Sequence, residues 1–281
     1  MNEIRVIPRL DIKGPNLVKG IHLEGLRVLG RPEAFARHYY EHGADELVYM
    51  DVVASLYGRN SLLDIVSRTS REVFIPLAVG GGLRTLDDIQ AVLRAGADKV
   101  SLNTAAIQNP QLIREAATRF GSSTILISIE AIRQPDGRYE AFTDNGREAT
   151  GVDVYEWAVR VAELGAGEIM ITSVDREGTG KGFDIELTRR VARSVPIPVI
   201  ACGGAGKAAD VADAIVDGAA DAVSIASILH YGIARELAAS THEGEGNTEF
   251  LRSGLTYSRI HGTTIPAVKA ELVARGIPCR V

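Results

Sequence analysis

An internal repeat constrains the fold of this chain more than any other feature. Residues 75–82 are echoed by residues 197–204, roughly 120 residues later. Further segments agree in the same register: 43–46 with 165–168, and 96–98 with a stretch of 218–221. Chance similarity between unrelated units would not keep its register across several successive elements. The chain is therefore predicted to consist of two related halves.

Short apolar runs alternate along the chain with segments of helical periodicity. The predicted strands are residues 4–11, 46–51, 75–79, 99–103, 124–130, 168–173, 197–201 and 221–225. Clear helical segments are residues 32–42, 86–95 and 155–164. Such alternation indicates parallel pairing, and about eight units are enough to close a barrel. The fold class is thus α/β, a (β/α)₈ TIM barrel with a two-fold half-barrel repeat. A doubly wound open sheet is the alternative, and the repeat disfavours it.

No low-complexity or linker segment divides the chain, so a single barrel domain is predicted over residues 1–281. Its half-barrels are expected at about residues 1–122 and 123–237. An extra loop, rich in glycine, is expected at about residues 238–262, before the last helix.

Composition excludes several classes of binding partner and indicates where the protein resides. The net charge of −5 argues against nucleic acid and against an anionic membrane as partners. The two cysteines, Cys202 and Cys279, lie far apart and have no metal-type ligands at familiar spacing, so neither a disulfide framework nor a zinc site is expected. No cofactor or metal is predicted. The first residues lack the apolar run of a signal peptide, and no stretch is long enough to span a membrane. A cytoplasmic protein is predicted.

Two phosphate sites are predicted, one in each half. Glycine-rich turns let backbone N–H groups approach an anion closely, and the helix N-terminus that follows can complete such a site. The turns are residues 80–82 and 203–204, and the following strands end in Asn103-Thr104 and Ala226-Ser227. Either turn alone could simply be a tight connection. The same pair of elements in both halves favours an elongated substrate with a phosphate at each end.

Two acidic residues end strands on opposite sides of the predicted barrel. Asp11 ends the first strand and Glu130 the fifth, so both point into the mouth, where this fold places its active sites. Paired carboxylates can divide general acid and general base roles if their environments separate their pKa values. Lys19 lies in a long first loop and is either a lid lysine that contacts a phosphate or a solvated charge.

At this point the residues resemble the cyclase subunit of imidazole glycerol phosphate synthase. The resemblance covers most of the chain and resumes in the last helix. The matching stretches include 7–11, 17–20, 43–46, 74–82, 95–101, 109–110, 165–169, 178–179 and 203–206. The set, in this order and spacing, is highly specific for the family or a close paralogue.

The resemblance implies a reaction and a set of site residues. Ammonia from a separate glutaminase subunit, docked on the N-terminal face of the barrel, would attack a bis-phosphorylated ribulosyl formimino aminoimidazole carboxamide ribonucleotide. The products would be imidazole glycerol phosphate and an aminoimidazole carboxamide ribonucleotide. Asp11, Glu130 and Lys19 would be catalytic. The residues expected to hold the two phosphates are Gly82, Asn103 and Thr104 for one, and Glu177, Gly178, Gly204, Ala226 and Ser227 for the other.

The resemblance also implies an ammonia entrance at the bottom of the barrel. The family's charged ring there is matched by Arg5, Glu46, Lys99 and Glu168, each at the start of a strand. Asp98 resembles a residue at the glutaminase interface.

The sequence departs from the family pattern at three site positions and in one loop. Glu130 and Glu177 stand where the family has aspartates, and Arg9 stands where a small residue is usual. These changes suggest an alternative: a paralogue that channels ammonia from a glutaminase to another reaction, such as amidination of a surface sugar. The single-chain isomerase of the preceding step in histidine biosynthesis shares the symmetric barrel but would not need the charged ring.

Overall fold

The computed structural model describes residues 3–54, 62–239 and 259–281. The strands, in chain order, are β1 Arg5–Lys13, β2 Asn16–Ile21, β3 Glu24–Gly30, β4 Leu47–Asp51, β5 Leu77–Gly80, β6 Lys99–Leu102, β7 Ile125–Arg133, β8 Tyr139–Thr143, β9 Glu148–Asp153, β10 Glu168–Ser173, β11 Val199–Cys202 and β12 Ala222–Ile225. Eight of these, β1, β4, β5, β6, β7, β10, β11 and β12, pair in parallel and close on themselves through the β7–β10 contact. The predicted (β/α)₈ barrel is confirmed.

Helices connect the barrel strands on the outside. They are α1 Pro32–Glu41, α2 Leu63–Thr69, α3 Leu86–Arg94, α4 Thr104–Gln108, α5 Gln111–Phe120, α6 Val154–Glu163, α7 Ile185–Ser194, α8 Ala208–Val216, α9 Ser227–Ala239 and α10 Ile265–Ala274. Local chemistry explains several starts: Thr85 and Asp88 form a reciprocal capping box before α3, and the Asp153 carboxylate accepts two backbone N–H bonds at the start of α6. The three helices predicted most clearly end within one residue of the observed ones.

Two antiparallel hairpins, which the sequence analysis did not predict, extend the barrel at its mouth. Strand β1 continues into β2 and β3, and β7 continues into β8 and β9. The two extended strands hold corresponding places in the two halves. Lys19 therefore lies in β2, where its side chain is 1% exposed, and the prediction of a loop lysine was wrong in this respect.

Aspartates that precede three barrel strands hold neighbouring strands in register. Asp45 accepts a hydrogen bond from the Val6 N–H at 2.8 Å, Asp98 from the Leu77 N–H at 2.9 Å, and Asp221 from the Val199 N–H at 2.9 Å. Each bond satisfies a backbone donor at the edge of the barrel. The repeated Gly-Ala-Asp pattern thus has a structural role at the bottom of the barrel.

The core has two parts. The larger packs the outer faces of the strands against the helices. The smaller lies almost entirely among strand residues and includes Ile7, Val48, Leu126, Met170 and Ile200. Because side chains alternate along a strand, β1 places Arg5, Ile7, Arg9 and Asp11 on one face, towards this inner cluster. The barrel interior is therefore charged at both ends, and apolar side chains together with a few buried hydroxyls fill its middle.

Most of the extra loop predicted at residues 238–262 lies in residues 240–258, outside the described residues. Its end, residues 259–262, returns to the barrel, where the His261 N–H donates to the Gly206 carbonyl at 2.8 Å. Among the helices described here, none combines the length and apolar character that a membrane span requires.

Candidate active site

Four buried charges meet at the upper end of the barrel, and we call them the upper cluster: Arg9, Asp11, Lys19 and Glu177. The Arg9 Nε donates to Asp11 Oδ1 at 2.8 Å, and the Lys19 Nζ lies 3.3 Å from Asp11 Oδ2. Lys19 also pairs with Glu177. Every side chain in the cluster is at most 5% exposed. Two cations thus balance two anions out of contact with bulk water, and both Asp11 oxygens are engaged.

The second predicted carboxylate, Glu130, is also buried but has no cationic partner at salt-bridge distance among the described residues. Its Oε2 accepts the Gly146 N–H at 2.8 Å, from the turn between β8 and β9. Positive φ angles at Asp144, Asn145 and Gly146 form this turn. The hairpin that extends β7 therefore delivers a backbone donor to the carboxylate at the end of the same strand.

The surroundings separate the pKa values of the two acids. Burial raises the pKa of Glu130 to about 7, and the Arg9 charge and the Gly146 hydrogen bond oppose this rise only in part. Burial would also raise the pKa of Asp11, but the Arg9 and Lys19 charges outweigh it and hold that pKa below its usual value. Near neutral pH Asp11 is ionised while Glu130 can gain or lose a proton. This is the pattern expected of paired acid–base groups.

A cavity of about 170 Å³ opens beside Glu130, at the ends of β5 and β6. Gly82, Asn103 and Thr104 line it, as the sequence analysis predicted for one phosphate, together with the exposed Arg84. The Thr104 hydroxyl accepts a hydrogen bond from the Asp144 N–H at 3.3 Å, which connects this side of the cavity to the β8–β9 turn. The cavity has the donors and the room for an anionic group next to the acid.

The residues predicted for the other phosphate also come together. Glu177, Gly178, Gly204, Ala226 and Ser227 line a narrower pocket of about 10 Å³ with Arg9 and Cys202. Close approach demands glycine here: Gly204 has φ +111°, and a Cβ at this position would clash with the Gly182 carbonyl. At Gly178, with φ +72°, a Cβ would lie 2.5 Å from the Gly20 carbonyl oxygen.

A second set of four charges closes the bottom of the barrel, and we call it the lower ring: Arg5, Glu46, Lys99 and Glu168. Arg5 contacts Glu46 at 2.9 Å and Glu168 at 2.6 Å, and Lys99 contacts the same two carboxylates at 3.0 and 2.8 Å. The contacts form a closed cycle of alternating sign. Arg5 and Lys99 remain 27% and 17% exposed, so the ring faces solvent.

The predicted site residues thus fall into two groups at opposite ends of the barrel, as their strand positions implied. Asp98 stands apart, because its carboxylate caps the β5 N-terminus. Arg9 was noted from the sequence only as a departure from the family pattern, and its contact with Asp11 was not predicted, although both side chains share the inner face of β1. Sequence analysis also missed the β8–β9 turn, which the sequence Asp144-Asn145-Gly146 could have signalled.

Comparisons with known proteins agree with this geometry. Residues 5–235 match the model of a family described as "Histidine biosynthesis protein". The imidazole glycerol phosphate synthase subunit HisF of Legionella pneumophila is 60% identical over 207 residues, which cover 74% of this chain and 98% of that protein. The HisF subunit of Alkaliphilus metalliredigens (strain QYMF) is 49% identical over 227 residues, covering 81% and 90%.

The chain belongs to the HisF family.

The structure shows which contacts are made by residues that depart from the HisF family pattern. Glu177, one methylene longer than aspartate, reaches Lys19 within the upper cluster. Arg9, where the resemblance implies a small residue, brings a second cation to Asp11. The added cation and the longer acid belong to one interacting unit. Two of the three departures, Arg9 and Glu177, are therefore coupled through Asp11 and Lys19, whereas Glu130 lies outside this cluster.

Proposed function

We propose that this chain is the ammonia-dependent cyclase subunit of imidazole glycerol phosphate synthase, a lyase of histidine biosynthesis. It would convert a bis-phosphorylated ribulosyl formimino aminoimidazole carboxamide ribonucleotide and ammonia into imidazole glycerol phosphate and aminoimidazole carboxamide ribonucleotide. One observation carries the proposal: of two buried carboxylates with separated pKa values, Glu130 lines one glycine-walled pocket, and Asp11 pairs with Arg9, which lines the other. Membership of the HisF family supports it.

The two pockets suit the two ends of such a substrate. The wider one, with Gly82, Asn103 and Thr104, takes one phosphate, and the narrower one, with Gly178, Gly204, Ala226 and Ser227, takes the other. Backbone N–H groups and the N-terminus of α9 at Ser227 offer donors to an anion. Glu177 shares the narrow pocket but repels a phosphate, so its role is to hold Lys19 there. The Lys19 ammonium then supplies positive charge near the bound anion.

The carboxylates divide the proton transfers. Ring closure requires protons to move between nitrogen and oxygen atoms of the substrate, and a group with a pKa near 7 serves as both donor and acceptor. Glu130 has such a pKa, at about 7. Asp11 stays negative and stabilises positive charge that develops on the attacking nitrogen.

Ammonia enters from the bottom of the barrel. The lower ring surrounds this entrance, and above it the inner wall carries the buried hydroxyls of Ser101, Ser128 and Ser224, which have no hydrogen-bond partner among the described residues. Such hydroxyls can exchange hydrogen bonds with a small polar molecule on its way up. A glutaminase subunit docks on this N-terminal face, with Asp98 at its edge.

The domain boundaries follow from the same symmetry. We propose half-barrels at residues 1–122 and 123–237, each with one phosphate pocket and one carboxylate. The paired hairpins after β1 and β7 support this division.

A second function rests on a specific observation. The Arg9 guanidinium lies within 3.5 Å of Cys202 across the upper barrel, and the pocket that it lines is small. A paralogue that passes ammonia to a different acceptor, such as a sugar, would show this kind of altered mouth.

Turnover separates the two functions. Purified protein is incubated with the bis-phosphorylated ribonucleotide and ammonium salt at high pH, and both products are quantified by chromatography. Product formation that is lost in Asp11→Asn, while substrate binding persists, supports the cyclase. Substrate binding without product in the parent protein refutes the cyclase and favours the paralogue.

The conduit is tested with the glutaminase subunit encoded by the same organism. Lys99→Met removes two contacts of the lower ring and lies at the opposite end of the barrel from Asp11 and Glu130. Turnover with glutamine should therefore fall relative to turnover with free ammonium salt. Equal losses with both nitrogen sources would contradict an entrance at the lower ring.

A further inference from the structure

Arg9 is the one member of the upper cluster to which neither the family pattern nor the predicted site gives a role. Its side chain is 2% exposed and crosses the top of the barrel interior, with Nε on Asp11 Oδ1 at 2.8 Å and a terminal nitrogen 3.5 Å from Cys202 Sγ. The guanidinium thus links β1 to β11. Burying a cation in this way is unfavourable unless it is paired, and Asp11 is the partner.

The backbone of Arg9 is held as firmly as its side chain. His230, on α9, lies 2.9 Å through Nε2 from the Arg9 carbonyl oxygen, and its Nδ1 lies 2.6 Å from the Tyr39 hydroxyl. Burial lowers the pKa of His230 to about 3, so the ring is neutral. Its Nε2–H donates to the Arg9 carbonyl, and its Nδ1 accepts from Tyr39. Helices α1 and α9 therefore fix the strand position from which the guanidinium projects.

We propose that Arg9 is a positioning residue for the reaction: it clamps Asp11 as a fixed carboxylate and so leaves Glu130 as the group that exchanges protons. The inference deepens the proposed function and rests on it for the identity of the reaction.

Among the described residues, three charged groups act most strongly on Glu130. Arg9 and Asp11 face it from β1, and Asp144 faces it from the β8–β9 turn, beside the Gly146 N–H. Lys19 and Glu177 complete the upper cluster and pair with each other. Of the described charged groups that act most strongly on Glu130, Arg9 is the cation, and its charge opposes part of the rise in pKa that burial and two anions cause. Removing its charge should make Glu130 harder to ionise.

A carboxyl titration tests the proposal without substrate. Protein labelled with ¹³C at the glutamate and aspartate carboxyl carbons is titrated by NMR, and the Glu130 and Asp11 signals are assigned by their absence in Glu130→Gln and Asp11→Asn. In the parent, the Glu130 carboxyl should titrate within about one unit of pH 7. The Asp11 carboxyl, whose pKa is held below its usual value, should stay ionised from about pH 5 to about pH 9. Titration of Asp11 near neutrality in the parent would overturn the proposal, even if every Arg9 variant failed to fold.

Two variants separate charge from shape. In Arg9→Gln the Glu130 midpoint should rise by about one pH unit or more, and the pH dependence of kcat should move by the same amount. In Arg9→Lys the charge remains but the contact geometry changes, so the midpoint should stay while kcat falls about tenfold to a hundredfold. Arg275→Gln, an exposed arginine paired with Asp213 and Glu271, is the matched control and should change neither.

Two results would contradict a positioning role for Arg9. An unchanged Glu130 midpoint in Arg9→Gln, or equal shifts in the glutamine and lysine variants, would show that Arg9 is only a packing residue. Since the titration needs no substrate, a parent that fails to convert the ribonucleotide contradicts the proposed function while the midpoints still decide the role of Arg9.

Discussion

The upper cluster and the lower ring contain the same charges in different surroundings. Each has two cations and two carboxylates, joined mostly by contacts of 2.6–3.3 Å. The cations of the lower ring are 17–27% exposed, whereas no side chain of the upper cluster is more than 5% exposed. Desolvation is therefore nearly complete at the top and partial at the bottom. Removing one charge should therefore cost more free energy of unfolding in the upper cluster than in the lower ring.

The difference follows from what each end must do. Partly exposed charges are screened by water and salt, so the lower ring contributes little to stability and can rearrange when a partner docks. Buried charges keep their positions because each needs its counter-charge. Glu130, a neighbour of the upper cluster, forms no salt bridge within the described part of the chain, and its pKa of about 7 is raised mainly by burial. The top of the barrel is thus built for fixed charge and a mobile proton.

The largest effect is expected at the centre of the upper cluster. Asp11→Asn should reduce kcat by about a hundredfold or more, because the fixed negative charge beside the reacting atoms is lost. It should also lower the free energy of unfolding by about 3 kcal/mol, because Arg9 and Lys19 then share a single anion, Glu177. Steady-state kinetics and urea unfolding measure the two effects. Full activity in this variant would remove Asp11 from the mechanism.

The two clusters can be compared directly by deleting one charge from each. Glu177→Gln leaves the buried Lys19 with one anion and should cost about 3 kcal/mol of unfolding free energy. Arg5→Met breaks two contacts of the lower ring and should cost about 1 kcal/mol, and less at high salt. Urea unfolding in low and high salt measures both. Equal costs, or equal salt sensitivity, would erase the distinction between the two ends.

A smaller effect is expected at the glycine turns, where the halves can be compared. Gly204 has φ +111°, and Gly204→Ala places a Cβ against the Gly182 carbonyl, so this variant should lower the free energy of unfolding by about 2 kcal/mol. Gly82 has φ +72°, and Gly82→Ala should lower it by about 1 kcal/mol. Both should weaken inorganic phosphate binding, measured by calorimetry. If only one variant changes phosphate affinity, the proposal of one phosphate pocket per half would need revision.

The sequence was sufficient to predict the barrel and the ends at which its site residues lie. A repeat in register, strands that alternate with helices, and acids at the ends of opposite strands each depend on local pattern, which a linear sequence records. Position along a strand placed Arg5 at the bottom of the barrel and Asp11 at the top. These predictions needed no knowledge of side-chain contacts.

What the sequence could not supply was the environment of each charge. Lys19 was expected in a loop, because nothing local indicates that residues 16–30 fold back as a hairpin on β1. The pairing of Lys19 with Glu177 joins residues 158 positions apart, and the role of Arg9 depends on contacts with β11 and α9. The pKa of Glu130 depends on burial, which only the assembled hairpin and barrel create.

The claim that Glu130 is kept buried for chemistry, at a cost in stability, has a direct test in Glu130→Gln. A carboxyl whose pKa is raised in the folded state stabilises the fold below its unfolded pKa, and this contribution is lost as pH rises through the folded value of about 7. The neutral amide can still accept the Gly146 N–H bond. At pH 8 the variant should therefore be more stable than the parent by about 3 kcal/mol, from 1.36 kcal/mol per pKa unit, and the gain should vanish near pH 4. A variant that is less stable than the parent at pH 8, or whose difference from the parent does not change with pH, would contradict the account.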